Sequence, residues 1–374
     1  MRVHPHDSLL QEALRRFGKR SDKILEHLSQ CARCREKASS STALDWRLRS
    51  RSNRDGYGPA LERSFDTFRL RQTALDKERR EAPSLLDRWV ALIPERRQIL
   101  LRNSRRLSNW GVFELLIQRG KEETFTDPLH GEELLQLALE ISAHLSPSSY
   151  GRELVEDMRA RTWGYIANAR RARMDLQSSE EAFEEAFQHL QRGTEDPMER
   201  AVLMDLQATL WRIQHRFDES LQLLHRASSV FRRMGETNQV GKAMISAAIV
   251  FRFTETPERA ISLLYQSLDL LDQAQEPRTT LYALNNLADV LATTGHLMEA
   301  QRALLRARPL YKRFPDPRIQ SRRMWIEAKV ACGLGRHQAE ALLQEAQARF
   351  MSANPSYDTD LLLRDLASFR ARRV

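Results

Sequence analysis

Cysteine is scarce in this chain, with three among 374 residues, which is too few for a disulfide framework. Glycine (14) and proline (13) are also sparse, and runs rich in valine, isoleucine or threonine are few. Leucine, alanine, arginine, glutamate and glutamine dominate instead, a composition that favours helix over strand. No stretch approaches the ~18 uninterrupted apolar residues of a membrane span. The opening MRVHPHDSLLQEALRRFGKR lacks the apolar core and small-residue cleavage site of a secretory signal. These absences lead to the expectation of a cytoplasmic protein with no membrane partner.

Catalytic signatures are missing as well. No phosphate-binding G-x4-G-K-[ST], dinucleotide-binding G-x-G-x-x-G, zinc-protease H-E-x-x-H or nucleophile-elbow G-x-S-x-G occurs. The many carboxylates sit on polar helical faces, as in EEAFEEAFQHLQR, where solvated charges belong. His130, in DPLHGEE, stands near a helix start with no partner visible in the sequence. Cys332, between Ala331 and Gly333, reads as a core residue. The expectation is a protein that is not an enzyme.

What is present is enough apolar residue to fold, 41% of the chain, and enough length for two or three units. Charge is unevenly divided. Residues 1–121 hold 27 Lys and Arg against 15 Asp and Glu, which leaves 32 of the 59 basic and 35 of the 50 acidic residues for the rest. The basic excess therefore belongs to the first third, where a solvated helical surface is the first explanation and an acidic partner the second.

Small residues recur at a fixed period. One series falls at Ala167, Ala208, Ala248, Ala288 and Ala328, and a second at Ala182, Ser220, Ala260, Ala300 and Ala339. Short side chains at regular intervals let helices of a hairpin, and stacked hairpins, approach closely while leucine and aromatic residues fill the gaps. In LYALNNLADVLATTGHLMEAQRALLRARPLY the first helix buries Leu284, Leu287, Ala288 and Leu291. Gly295 makes the turn, and Ala300, Leu304 and Ala307 face inward from the second helix. Trp163, Trp211 and Trp325 each fall on a first helix and read as packing residues.

The small-x11-small spacing across a glycine turn resembles the tetratricopeptide repeat, over roughly residues 160–350, with a period near 40 rather than that family's usual 34. The fold expected is all-α, a tetratricopeptide-like solenoid preceded by a small helical head. The divisions expected are a head at 1–40, a basic linker or helix at 41–81, irregular hairpins at 82–158, repeats at 159–352 and a capping helix at 353–374. In such a solenoid the first helices line a groove that takes a peptide or helix of a protein partner. The polar candidates for that face are Asp205, Arg212, Lys242, Arg252, Asn285 and Asp289.

One constellation suggests metal chemistry. SDKILEHLSQCARCREK places His27, Cys31 and Cys34 in the order H-x3-C-x2-C. On a helix His27 and Cys31 share a face and Cys34 follows one turn on, so two thiolates and an imidazole can take adjacent vertices of a tetrahedron. Zinc suits such a mixed nitrogen and sulfur set. The upstream candidates for a fourth ligand are His4 and His6, with His4 preferred for its wider spacing. The pattern resembles the zinc-finger domain of bacterial anti-sigma factors. That resemblance implies one Zn2+ held by His4 or His6, His27, Cys31 and Cys34, and a sigma factor as partner of the head. The functional expectation is an adaptor or regulator that binds proteins. The alternatives are nucleic-acid association through basic residues such as Arg47, Arg49, Arg51 and Arg54, or a plain scaffold with a vestigial finger.

Overall fold

The computed structural model describes residues 58–352 apart from 94, 95, 97, 98, 101, 102, 104–106, 255, 337 and 338. The chain divides between Ser84 and Leu85 into two units, and the second holds every described hairpin. Helix α1, Gly58–Val90, runs through that division with Pro83 inside it.

The second unit is a succession of antiparallel hairpins. Helices α2 (Trp110–Glu123) and α3 (Pro128–Ala143) form the first, and a single turn, α4 (Pro147–Tyr150), follows. Then come α5 (Arg152–Ala172) with α6 (Leu176–Arg192), and α7 (Pro197–Ile213) with α8 (Phe217–Met234). The last three pairs are α9 (Thr237–Phe251) with α10 (Pro257–Leu270), α11 (Pro277–Thr293) with α12 (Leu297–Arg313), and α13 (Pro317–Gly333) with α14 (Ala339–Ser352). Past the single turn α4, α3 packs directly on α5. Otherwise each helix from α2 packs on the next in sequence, and from α5 onward each first helix also packs on the first helix of the following hairpin. Among the described residues there is no strand. This unit is an all-α solenoid.

Local chemistry explains where the helices start. Asp127, Asp196 and Asp316 each precede a proline and accept hydrogen bonds from backbone N–H groups of the first turn, at 2.8 to 3.1 Å for the shortest. Proline at the first helical position loses only an N–H that had no intrahelical partner. The turns inside four of the six described hairpins are equally regular. Met174, His215, Gly295 and Gly335 have φ of 64°, 61°, 85° and 67°. After each, a backbone N–H reaches the carbonyl five residues back: Asp175 to Arg170, Arg216 to Trp211, His296 to Leu291 and Arg336 to Ala331, at 2.8 to 3.0 Å. This is the Schellman closure, which satisfies the last helical carbonyls.

The periodic small residues are the tightest points of the core. Ala167, Ala208, Ala248, Ala288 and Ala328 are all buried, as are Ala182, Ser220, Ala260, Ala300 and Ala339. One register needs adjusting. Ser220 donates to the carbonyl of Ala208 at 2.7 Å, and Ser179 makes the matching bond to Ala167 at 2.8 Å, both across twelve residues. Ser179, fully buried, is thus the counterpart of Ser220, and Ala182 lies one turn further along α6. The tryptophans pack as expected. Trp163 lies against Ala160, Ala186, Leu190 and Leu203, Trp211 against the core between α7 and α9, and Trp325 is buried beside α11. Cys332 is half-buried and packs against that same cluster. His130 does have a partner, since its Nδ1 lies 3.3 Å from Glu133 Oε2 one turn further along on the exposed side of α3.

Candidate functional site

The polar face of the first helices is built from charges that reach from one hairpin to the next. At the start of the stack Glu132 on α3 is buried and receives Arg170 at 2.8 Å and Arg173 at 2.5 Å. Arg161 on α5 pairs with buried Glu199 on α7. Further along, Lys242 on α9 pairs with Glu276 just before α11 at 2.6 Å. Asp289 on α11 is fully buried between Arg252, which follows α9, at 2.6 Å and Lys329 on α13 at 2.8 Å. Burial alone would raise the Asp289 carboxyl, but the charges of Arg252, Lys329 and Arg322 outweigh it and hold the group below its ordinary value. Trp325 lies under both cations, 3.6 Å from Lys329 Nζ and 5.8 Å from the Arg252 guanidinium.

The six residues expected on this face therefore take different places. Arg252 and Asp289 meet as one pair. Asp205 and Lys242 do not form a pair: the Lys242 charge acts on the Asp205 carboxyl, but its ammonium is engaged by Glu276. Asn285 is buried and accepts from the Tyr311 hydroxyl. Arg212 is buried within α7. Sequence reasoning missed Lys329, Glu276 and Tyr311. Lys329 could have been found, because it stands one 40-residue period after Asp289. Asn286 is another omission, receiving Arg322 at 2.8 Å from α13.

Asp205 differs from the other carboxylates. The residue is half-buried, yet its Oδ1 is sealed from solvent and has no hydrogen-bond partner. Burial pushes its pKa up to about 6, opposed by a hydrogen bond with Ser246 and by Lys242. Lys242 is meanwhile engaged by Glu276, whose own carboxyl it holds below the ordinary range, with Thr279 assisting. A buried acceptor left open in this way costs ~1–3 kcal/mol. It can accept a hydrogen bond when ionised and donate one when protonated.

The end of α2 lies close to the same face. Lys121 sits 5.3 Å over the Tyr165 ring and its charge reaches Glu276. Two residues past α2, Phe125 stacks on the Arg278 guanidinium at 5.2 Å, and Phe314 covers Arg278 from α12 at 4.9 Å. The start of α11 is thus clasped by residues from the first hairpin and the fifth.

Among the described residues no group of three or more His, Cys, Asp and Glu side chains is placed to hold a metal. His4, His6, His27, Cys31 and Cys34 lie outside the described residues, as do the arginines of 47–54 and the expected capping helix at 353–374. No helix among the described residues is long and apolar enough to cross a membrane.

No family model matches this chain, and no curated protein matches it. Among solved structures it is similar to BtubC (BKLC) from P. vanneervenii, at 19% identity and a TM-score of 0.46 across 65% of this chain and 94% of that one.

Proposed function

We propose that the chain is a non-catalytic adaptor, a tetratricopeptide-type solenoid that holds a segment of a protein partner along its first helices. The observation that carries this reading is Asp205. On a face where the neighbouring carboxylates are matched by cations from adjacent hairpins, its half-buried carboxylate has no ion-pair partner among the described residues, Lys242 being engaged by Glu276. A lysine or backbone N–H of an extended partner would pair with the accessible side of this half-buried carboxylate, the usual means by which repeat surfaces hold peptides. The test is capture by the immobilised full chain with quantitative mass spectrometry, comparing wild type with Asp205→Arg. Proteins retained by wild type and depleted by the variant support the reading. Identical retention by a folded variant ends it.

The finer part of the proposal concerns the head. The H-x3-C-x2-C spacing of His27, Cys31 and Cys34, with His4 as fourth ligand, supports a single structural zinc. Zinc there would fix the helix that carries the thiolates and stabilise a unit too small to bury much apolar surface. By resemblance the head's partner is a sigma factor, and a binding assay with purified sigma factors checks it. The basic excess of the first third supports a second reading, contact with nucleic acid, whose mark is affinity falling steeply with salt.

A further inference from the structure

The third hairpin carries a basic cleft that the groove reading does not use. It lies between the first half of α7 and the second half of α8, at the hairpin's open end, remote along the chain from the turn at His215. Its volume is about 320 Å³, and its floor is apolar, from Ala201, Met204 and Val230. Arg200, His225, Arg226 and Arg233 stand around it, with Glu195 the single acid. None of these five side chains has an ion-pair or hydrogen-bond partner among the described residues.

The setting makes that cluster unusual. From residue 122 onward acidic residues outnumber basic ones, 35 to 32. On the first-helix face most charges are matched by a neighbour, whereas the three arginines of this cleft are not. The wall is also held in place. Asp157 accepts from the Thr194 backbone N–H at 3.0 Å and from its hydroxyl at 2.6 Å, and Gly193 has no room for a side chain against that carboxylate. Glu195 is consequently fixed at φ 56°, a left-handed conformation that L residues adopt at a cost. The helix start itself offers nothing to an anion, because Asp196 already caps it.

From these features we infer that the cleft is a docking site for an acidic peptide segment of a protein partner, one bulky apolar side chain flanked by carboxylates. Charge complementarity commits it to that occupant: the apolar floor takes the side chain, and Arg200, Arg226 and Arg233 meet the carboxylates. A cleft near 320 Å³ stands at the small end of the ~300–1,000 Å³ seen for ligand sites, which suits a single anchor.

The test uses the full chain and a fluorescein-labelled peptide with one leucine between two pairs of aspartates, followed by anisotropy. Saturable binding is expected, weaker by about tenfold for Arg226→Glu/Arg233→Glu and by several-fold for a peptide with serine in place of leucine. Both arginines are exposed, so the variants should keep the wild-type melting temperature; Arg226→Gln/Arg233→Gln serves if the reversal unfolds the chain. Absence of saturable binding overturns the inference, as does undiminished binding by the arginine variants. So does equal affinity for the serine peptide, or a loss produced instead by Arg47→Ser/Arg49→Ser, since either would mean attraction to basic surface alone. Unchanged affinity in Asp205→Arg separates this site from the groove.

Discussion

At the scale of single residues, two aspartates of the first-helix face, buried Asp289 and half-buried Asp205, make opposite predictions. Asp289 is enclosed with two cations, so truncation leaves Arg252 and Lys329 buried against each other. Asp289→Ala should cost ~3–5 kcal/mol in denaturant unfolding, the range for breaking one side of a buried ion pair. Its lowered carboxyl contributes stability that is present at neutral pH and is lost as pH falls through the folded-state value. Asp205 behaves the other way. Its folded-state value of about 6 lies above the ordinary 3.8, so the folded protein holds the proton more tightly than the unfolded chain. Stability from this group is greatest below the ordinary value and is lost as pH rises through about 6. Asp205→Asn should therefore stabilise the protein by ~1–2 kcal/mol at pH 8, allowing for the residue's partial exposure, and by almost nothing at pH 4. Melting temperatures of both proteins across that range check it, and parallel curves would refute it. A site kept at a stability cost fits a binding role better than a packing role.

At the scale of the element, the hairpin was largely legible. The alanine series follows from sterics alone: a position where two helices touch tolerates only a short side chain, and spacing fixes the register. The capping aspartate before proline at 127, 196 and 316 was equally readable, because the hydrogen bonds are local. The slip at Ala182 had a physical source. Ser179 also fits as a small residue, and only the bond to the Ala167 carbonyl across the turn distinguishes the two. What could not be read were pairings between hairpins, such as Arg252 with Asp289, whose partners stand 37 positions apart and resemble ordinary surface charges in sequence. The turns yield a further prediction. Gly295 and Gly335 occupy left-handed positions without strain, whereas Met174 and His215 hold the same position with a side chain. His215→Gly should therefore stabilise the solenoid by ~0.5–1 kcal/mol, the left-handed penalty less the entropy of a freer unfolded chain. Gly295→Ala should destabilise by about as much, since nothing crowds the added methyl and only the backbone conformation resists it. Urea unfolding midpoints at constant slope measure both.

At the scale of the molecule, function was legible only as a class. A stack of hairpins offers extended surface, which is compatible with a scaffold or adaptor role but carries little in its sequence about what that surface would bind. The clasp at Arg278 shows why the arrangement of that surface was hidden. Phe125 reaches it from the first hairpin, about 150 residues away in the chain, and a cation between two rings has no sequence signature. Phe125→Ala removes one ring and should release the start of α11. Amide exchange at residues 121–126 and 276–280 is expected to speed up several-fold while α7 and α8 are unaffected, because local opening follows the local loss of contacts. The head poses the reverse problem, with a clear motif and few residues to support a core. A head of about 40 residues, as the sequence leads one to expect, would have little apolar surface to bury, so a zinc held by His27, Cys31, Cys34 and His4 would couple metal occupancy to its folding. Elemental analysis of the full chain, purified under reducing conditions, should give about one zinc per chain, lost in Cys31→Ser/Cys34→Ser. Chelation should lower the helical signal by only the head's share and leave the solenoid's melting transition in place, because each hairpin contacts only its neighbours. Zinc-free protein from reducing buffer would remove the support for a metal-dependent head and leave the two surfaces proposed on the solenoid to account for its function.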